Sequence, residues 1–168
     1  MLLTSKTIVG LLMGKKTDLS IMRKAMLALG TMGIPCEIGV SPITCSTKNV
    51  TEYARTARDR GIEVIIAGDD MVGSLAKFIA AYTTLPVIHV PLNLKVLKKF
   101  DALYFTVPIP YGLSVINVAF NGANEAAFIA CSIISIKYPE IGKRLDRQLV
   151  STVPVKISKT LRNKRKER

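Results

Sequence analysis

The sequence predicts an α/β fold: a three-layer sandwich in which a parallel sheet lies between helices on both faces. Two features of the chain carry this expectation. Short apolar runs rich in branched residues alternate with amphipathic stretches along most of its length, the pattern of βα units. One run, Ile62–Gly68 (IEVIIAG), is apolar nearly throughout, which suits a strand buried on both faces of a parallel sheet. At 168 residues the chain has the size of one domain that buries a full core without staples. Residues 1–150 read as that domain and 151–168 as a basic tail.

The first run, Ile8 to Met13, is too short for a helix and reads as a buried strand. Gly14 allows a sharp turn, Lys15 and Lys16 sit in it, and Thr17 and Asp18 read as N-cap residues for the next helix. A strand, a tight turn and a helix N-terminus bring backbone N–H groups and a positive dipole end together, which suits an anion. Leu19 to Met32 carries a helical apolar stripe closed by Gly33, and Met22 and Met26 within it read as core packing. Pro35 to Ile43 reads as the second strand, Lys48 to Arg60 as an amphipathic helix ending at Gly61, and Met71 to Tyr82 as a third helix. Pro86–Pro91 and Asp101–Val107 read as the fourth and fifth strands. The apolar stretch Leu113–Tyr138 reads as one long buried helix, because Asn117, Asn121, Asn124 and Glu125 argue against a membrane span.

The composition is that of a globular protein, apolar enough to suggest burial of surface in an oligomer. Cys36, Cys45 and Cys131 form no C-x-x-C pair, so neither a disulfide framework nor a zinc site is suggested. A reducing, cytoplasmic setting fits these thiols. Lys6 and the polar residues after Met13 interrupt the N-terminal apolar run too early for a signal peptide. The net charge is +12, and between Ser151 and Arg168 seven Lys or Arg stand against Glu167 alone, leaving +6 there. Such a tail reads as a solvated terminus or as a weak, salt-sensitive nucleic-acid arm. It has no aromatic residue for stacking on single strands.

Taken in order, these segments resemble the PurE family, the carboxyaminoimidazole ribonucleotide mutases and aminoimidazole ribonucleotide carboxylases of purine synthesis. The family opens with a strand and Met-Gly-Ser-x-Ser-Asp, here Met13-Gly14-Lys15-Lys16-Thr17-Asp18. Its Val-Ile-Ile-Ala-Gly is intact at Val64–Gly68, and its Val-Pro step is Val90-Pro91 with Lys95 and Leu97 after it. Pro110-x-Gly112, Asn124 and the final PEIGKRLDRQL extend the likeness to about Leu149. The resemblance implies a flavodoxin-like sheet, a homo-octamer, a phosphorylated small-molecule ligand and no cofactor or metal. It places ligand contacts at Gly14, Lys15, Thr17, Asp18, Ser41 and Gly68, with Lys15 in the seat of a phosphate-binding Ser and Asp18 at the ribose.

The departures fall where the family's chemistry lies. Its second strand ends in Ser-Ala-His-Arg, where the His moves a proton and the Arg pairs with phosphate. Here Ser41 is followed by Pro42-Ile43-Thr44-Cys45. Its small-residue loop Gly-Ala-Gly-Gly-Ala-Ala-His is matched by Gly68-Asp69-Asp70-Met71-Val72-Gly73-Ser74. Asp69 and Asp70 at a strand's C-terminal end are candidate general bases or metal ligands, although helix capping accounts for at least one of them. Cys45 is a possible nucleophile if the sole imidazole, His89, reaches it; a lone His in a strand more often serves packing. The expectation is a divergent member that keeps the phosphate and ribose end of the pocket and lacks standard mutase chemistry. The alternatives are an active carboxylase or mutase with substituted groups, and an oligomeric nucleic-acid-binding protein.

Overall fold

The structure, a computed structural model, describes residues 6–41, 47–92 and 114–152. Among these, five strands form one parallel sheet in the order β2-β1-β3-β4-β5: β1 Val9–Met13, β2 Cys36–Val40, β3 Val64–Asp69, β4 Val87–Pro91 and β5 Val115–Asn117. The helices are α1 Leu19–Thr31, α2 Thr47–Arg60, α3 Ser74–Ala80, α4 Ala123–Ser135 and α5 Pro139–Thr152. The order reverses direction at β1, the switch point at which open α/β sheets take ligands beyond their C-terminal strand ends.

Period-2 alternation splits the core in two. Leu11, Met13, Ile66 and Ile88 pack with Met22 and Leu29 of α1 and the alanine face of α4. Leu12, Ile65, Ala67 and Val87 pack on the other face with Val50 and Ala54 of α2 and Leu75 and Ile79 of α3. The sheet therefore lies between two helical layers, as expected. The residue pairs Met13–Gly68 and Met13–Val40 in register bring the ends of β1, β3 and the edge strand β2 to one level.

Two boundaries differ from the sequence reading. Leu113–Tyr138 is not one helix: β5 and a turn precede α4. Val115, Ile116 and Val118 flank Asn117, a branched run that favours extended backbone, and Asn121 adopts φ 56° before Gly122. The apolar face of α4 is covered by its own chain, through Ala126, Ala127, Ala130 and Ile134, so its hydrophobicity does not by itself call for an oligomer. Helix α3 begins at Ser74 rather than Met71, because Gly73 stands at φ +69° and interrupts helical geometry ahead of it. The expected strand 101–107 and residues 153–168 of the basic tail lie outside the described residues, while Ser151 and Thr152, expected to open the tail, belong to α5.

At the β2 edge, α2 approaches β1 closely enough that a Cβ on Gly10 would stand 2.1 Å from Tyr53 Oη. Arg60 lies over the Tyr53 ring, 4.5 Å from its centroid, and pairs with Glu37 at 2.7 Å. The Tyr53 hydroxyl is buried with no hydrogen bond of normal geometry; burial first, then the nearby Glu37 carboxylate, push its pKa above the usual phenol range. Removing an unsatisfied buried hydroxyl at constant shape is near neutral or stabilising. Tyr53→Phe is therefore expected to change unfolding free energy by less than about 1 kcal/mol, on the stabilising side. Chemical denaturation checks this, and a clear loss of stability would mean that the hydroxyl is satisfied in solution.

Candidate functional site

The β1–α1 turn lies at the C-terminal edge of the sheet. The Gly14 amide donates to Gly68 O at 3.1 Å and the Ser41 amide to Met13 O at 2.8 Å, tying the ends of β1, β2 and β3 together. Lys15 is extended (φ −140°, ψ 147°) and a single 3-10 turn, Lys16–Asp18, leads into α1. The first N–H groups of such a turn have no partner within it, and Lys15, Lys16 and Thr17 are exposed beside them. The capping expectation is corrected here. Asp18 is the residue before α1, but it already has helical φ and ψ and its side chain makes no cap bond. It is 6% exposed, and the Thr17 hydroxyl approaches its carboxylate at 3.4 Å.

The β3–α3 loop occupies the neighbouring position. Asp70 Oδ1 accepts the amides of Val72 and Gly73, each at 3.0 Å, and Asp69 Oδ2 accepts the Leu75 amide. Asp69 therefore binds an amide in the first turn of α3, as the capping account expects of one of the pair, while Asp70 binds amides of the loop just ahead of the helix. Asp69 Oδ1 would lie 3.1 Å from a Cβ on Gly14, so this carboxylate stands at the β1 turn. Burial pushes the Asp69 carboxyl above its ordinary range, and the Leu75 amide pulls it partly back. Gly68 lacks a side chain for a packing reason: a Cβ there would stand 2.4 Å from Met22 Sδ and 3.0 Å from Leu92 Cδ1.

His89 is 3% exposed. Its Nε2 is 3.0 Å from the Asp70 carbonyl oxygen and its Nδ1 is 2.9 Å from Asn117 Oδ1. The packing reading of this imidazole holds. Cys45 lies outside the described residues, as do the other positions between Ser41 and Thr47. Among the described residues, no three His, Cys, Asp or Glu side chains are grouped to hold a metal ion. No helix there is long and apolar enough to cross a membrane. Sequence reasoning missed Asn117, whose only signal was a polar residue inside a branched run.

The family model described as AIR carboxylase matches residues 8–152. The chain belongs to the AIR carboxylase, or PurE, family. Family members named N5-carboxyaminoimidazole ribonucleotide mutase include one from Aquifex aeolicus, 45% identical over 141 residues and covering 84% of each chain. Another, from Pyrococcus horikoshii, is 41% identical over 146 residues, covering 87% of this chain and 82% of its own. The fold agrees with that of Treponema denticola PurE (TM-score 0.74, 22% identity, 95% of this chain and 99% of that one). A Treponema denticola PurE2 variant is similar, with TM-score 0.77 at 21% identity over 87% of this chain and 91% of that one.

Proposed function

We propose that this family member binds a phosphorylated ribonucleotide at the Gly14–Asp18 turn and lacks standard mutase chemistry. The observation that carries the reading is the turn itself. It combines a helix-start N–H cluster, two exposed lysines and a buried Asp18 at the switch point of a parallel sheet. A phosphate is stabilised there by the dipole end, worth roughly half a positive charge, and by Lys15 as a point charge that needs no fixed hydroxyl angle. Asp18 would accept bonds from ribose hydroxyls, and Ser41 and Gly68 border the same edge. The loss of mutase chemistry is argued from the imidazole. The sequence holds one His, and it is engaged at both ring nitrogens.

A ligand that binds only the folded chain raises its melting temperature. Ribose 5-phosphate at ten times its Kd contributes about 1.4 kcal/mol, or about 3–6 °C for a domain of this size. Lys15→Ala is expected to reduce that rise. A wild-type transition unmoved by millimolar ribose 5-phosphate would mean that the phosphate end is lost as well.

A second reading, an active mutase with substituted groups, is favoured by the 41–45% identity to proteins named as mutases. In that reading Asp69, whose carboxyl is raised by burial, is the group best placed to move a proton.

The assembly proposed is a homo-oligomer, an octamer in the family pattern. Ile136, Leu149 and Val150 are 86%, 60% and 79% exposed, an apolar presentation that a second copy would cover. Light scattering is expected to return a multiple of the single-chain mass, and a monomer at micromolar concentration would exclude this.

A further inference from the structure

We propose that His89 is a positioning residue: it pins the loop Asp70–Gly73, which follows β3, to the sheet and so fixes the Asp69 carboxylate, at the end of that strand, beside the Gly14 turn. The contacts form a continuous chain. Asn117 on β5 meets Nδ1 at 2.9 Å, and Nε2 meets the Asp70 carbonyl at 3.0 Å. The ring also lies where Gly73 has no side chain, since a Cβ there would stand 3.0 Å from His89 Cε1. From the pinned peptide, Asp70 Oδ1 gathers the amides of Val72 and Gly73, and Asp69 binds the Leu75 amide while facing Gly14.

The chemistry of the two ring contacts is unequal. A carbonyl oxygen only accepts, so Nε2 carries a proton whatever the charge of the ring. A side-chain amide offers both an acceptor and a donor, so Asn117 serves the imidazolium through Oδ1 and the neutral ring through its NH2 group. The latch therefore holds in either protonation state. Of the charged groups around it, Asp69 is the one that the ring influences: burial, the largest cause, pushes its carboxyl up, and His89 is the smallest of the opposing influences. A mere space-filler would be replaced by Phe without consequence, because the aromatic volume stays and only the two polar contacts go.

The link to ligand rests on the reading of the Gly14 turn as a phosphate site, whereas the latch is tested without ligand. Amide hydrogen exchange of the full chain is compared for wild type, His89→Phe and His89→Gln. In His89→Phe the amides of Val72, Gly73 and Leu75 are expected to exchange about tenfold faster or more, with α1 unchanged, since loop opening is a local event. His89→Gln, whose side-chain NH2 can still donate to the Asp70 carbonyl, is expected to restore most of the protection. Unchanged exchange in His89→Phe overturns the proposal. Because the chain has one imidazole, the wild type alone gives a second readout free of any folding risk: a slowly exchanging Nε2 proton in its NMR spectrum. Absence of that proton also overturns the latch. In a final arm, His89→Phe is expected to change the affinity for ribose 5-phosphate about three- to tenfold, as a shifted charge beside the site would. No ribose 5-phosphate binding by wild type, with the exchange pattern as expected, would remove the phosphate reading and leave the latch in place.

Discussion

Purified protein given N5-carboxyaminoimidazole ribonucleotide at neutral pH is expected to turn it over about 10²–10⁴-fold more slowly than the relatives named for that reaction, the usual worth of general acid–base catalysis. Moving a proton at a ring carbon needs a group that both holds and releases it near neutral pH. The one imidazole, His89, is 3% exposed and bonded at both nitrogens, so it has no ring nitrogen to offer a substrate. Asp70 spends one carboxylate oxygen on two backbone amides. Asp69 is the carboxylate left facing Gly14; burial pushes its carboxyl above the ordinary range and the Leu75 amide pulls it partly back, but one carboxylate oxygen is held by that amide. A carboxylate facing Gly14 would also repel a carboxylated base. The check is a steady-state assay run beside a relative, with Asp69→Asn as a second arm. Turnover comparable to the relative's would overturn the expectation, and its loss in Asp69→Asn would assign the proton transfer to Asp69.

The sheet was legible in the sequence because each central strand announces itself locally. Val9–Met13, Val64–Asp69 and Val87–Pro91 are runs of buried, mostly branched residues between turn signals, and they are hard to read otherwise. The stretch after Leu113 reads as one helix because its polar residues, Asn117, Asn121, Asn124 and Glu125, are scattered among apolar ones and do not mark where β5 ends and α4 begins. What divides it is Asn121 in a left-handed conformation, and a single Asn-Gly pair inside an apolar run is a weak signal by itself. At the site, the β1 turn could be placed from Gly14 and the lysines, but the role of Asp18 could not. Capping and burial both use an Asp at that position, and only the backbone geometry separates them. The pairing of His89 with Asp70 and Asn117 spans 19 and 28 residues, a separation at which no periodicity connects side chains.

Gly68→Ala is expected to destabilise the chain by about 1–3 kcal/mol, the usual cost of overpacking a filled core, which lowers the melting temperature by about 4–8 °C for a 2 kcal/mol loss at this size. Resemblance assigns Gly68 to the ligand, yet its missing side chain faces the α1 layer. A Cβ there would meet Met22 Sδ at 2.4 Å, Met22 Cγ at 2.9 Å and Leu92 Cδ1 at 3.0 Å. Met22 is 0% and Leu92 1% exposed, so neither has open space to move into. Met is flexible enough to yield in part, which keeps the cost in the range of one methyl group rather than a collapsed strand. A double-mutant cycle isolates the contact. Met22→Ala alone leaves a cavity and costs about 2–5 kcal/mol, but it also vacates the volume that the new methyl needs. The double variant is therefore expected to fall short of the sum of the singles by about 1 kcal/mol or more, the size of coupling found for side chains in contact. Additive costs would mean that Gly68→Ala acts elsewhere. A Gly68→Ala chain that melts like wild type but no longer responds to ribose 5-phosphate would return Gly68 to the ligand site.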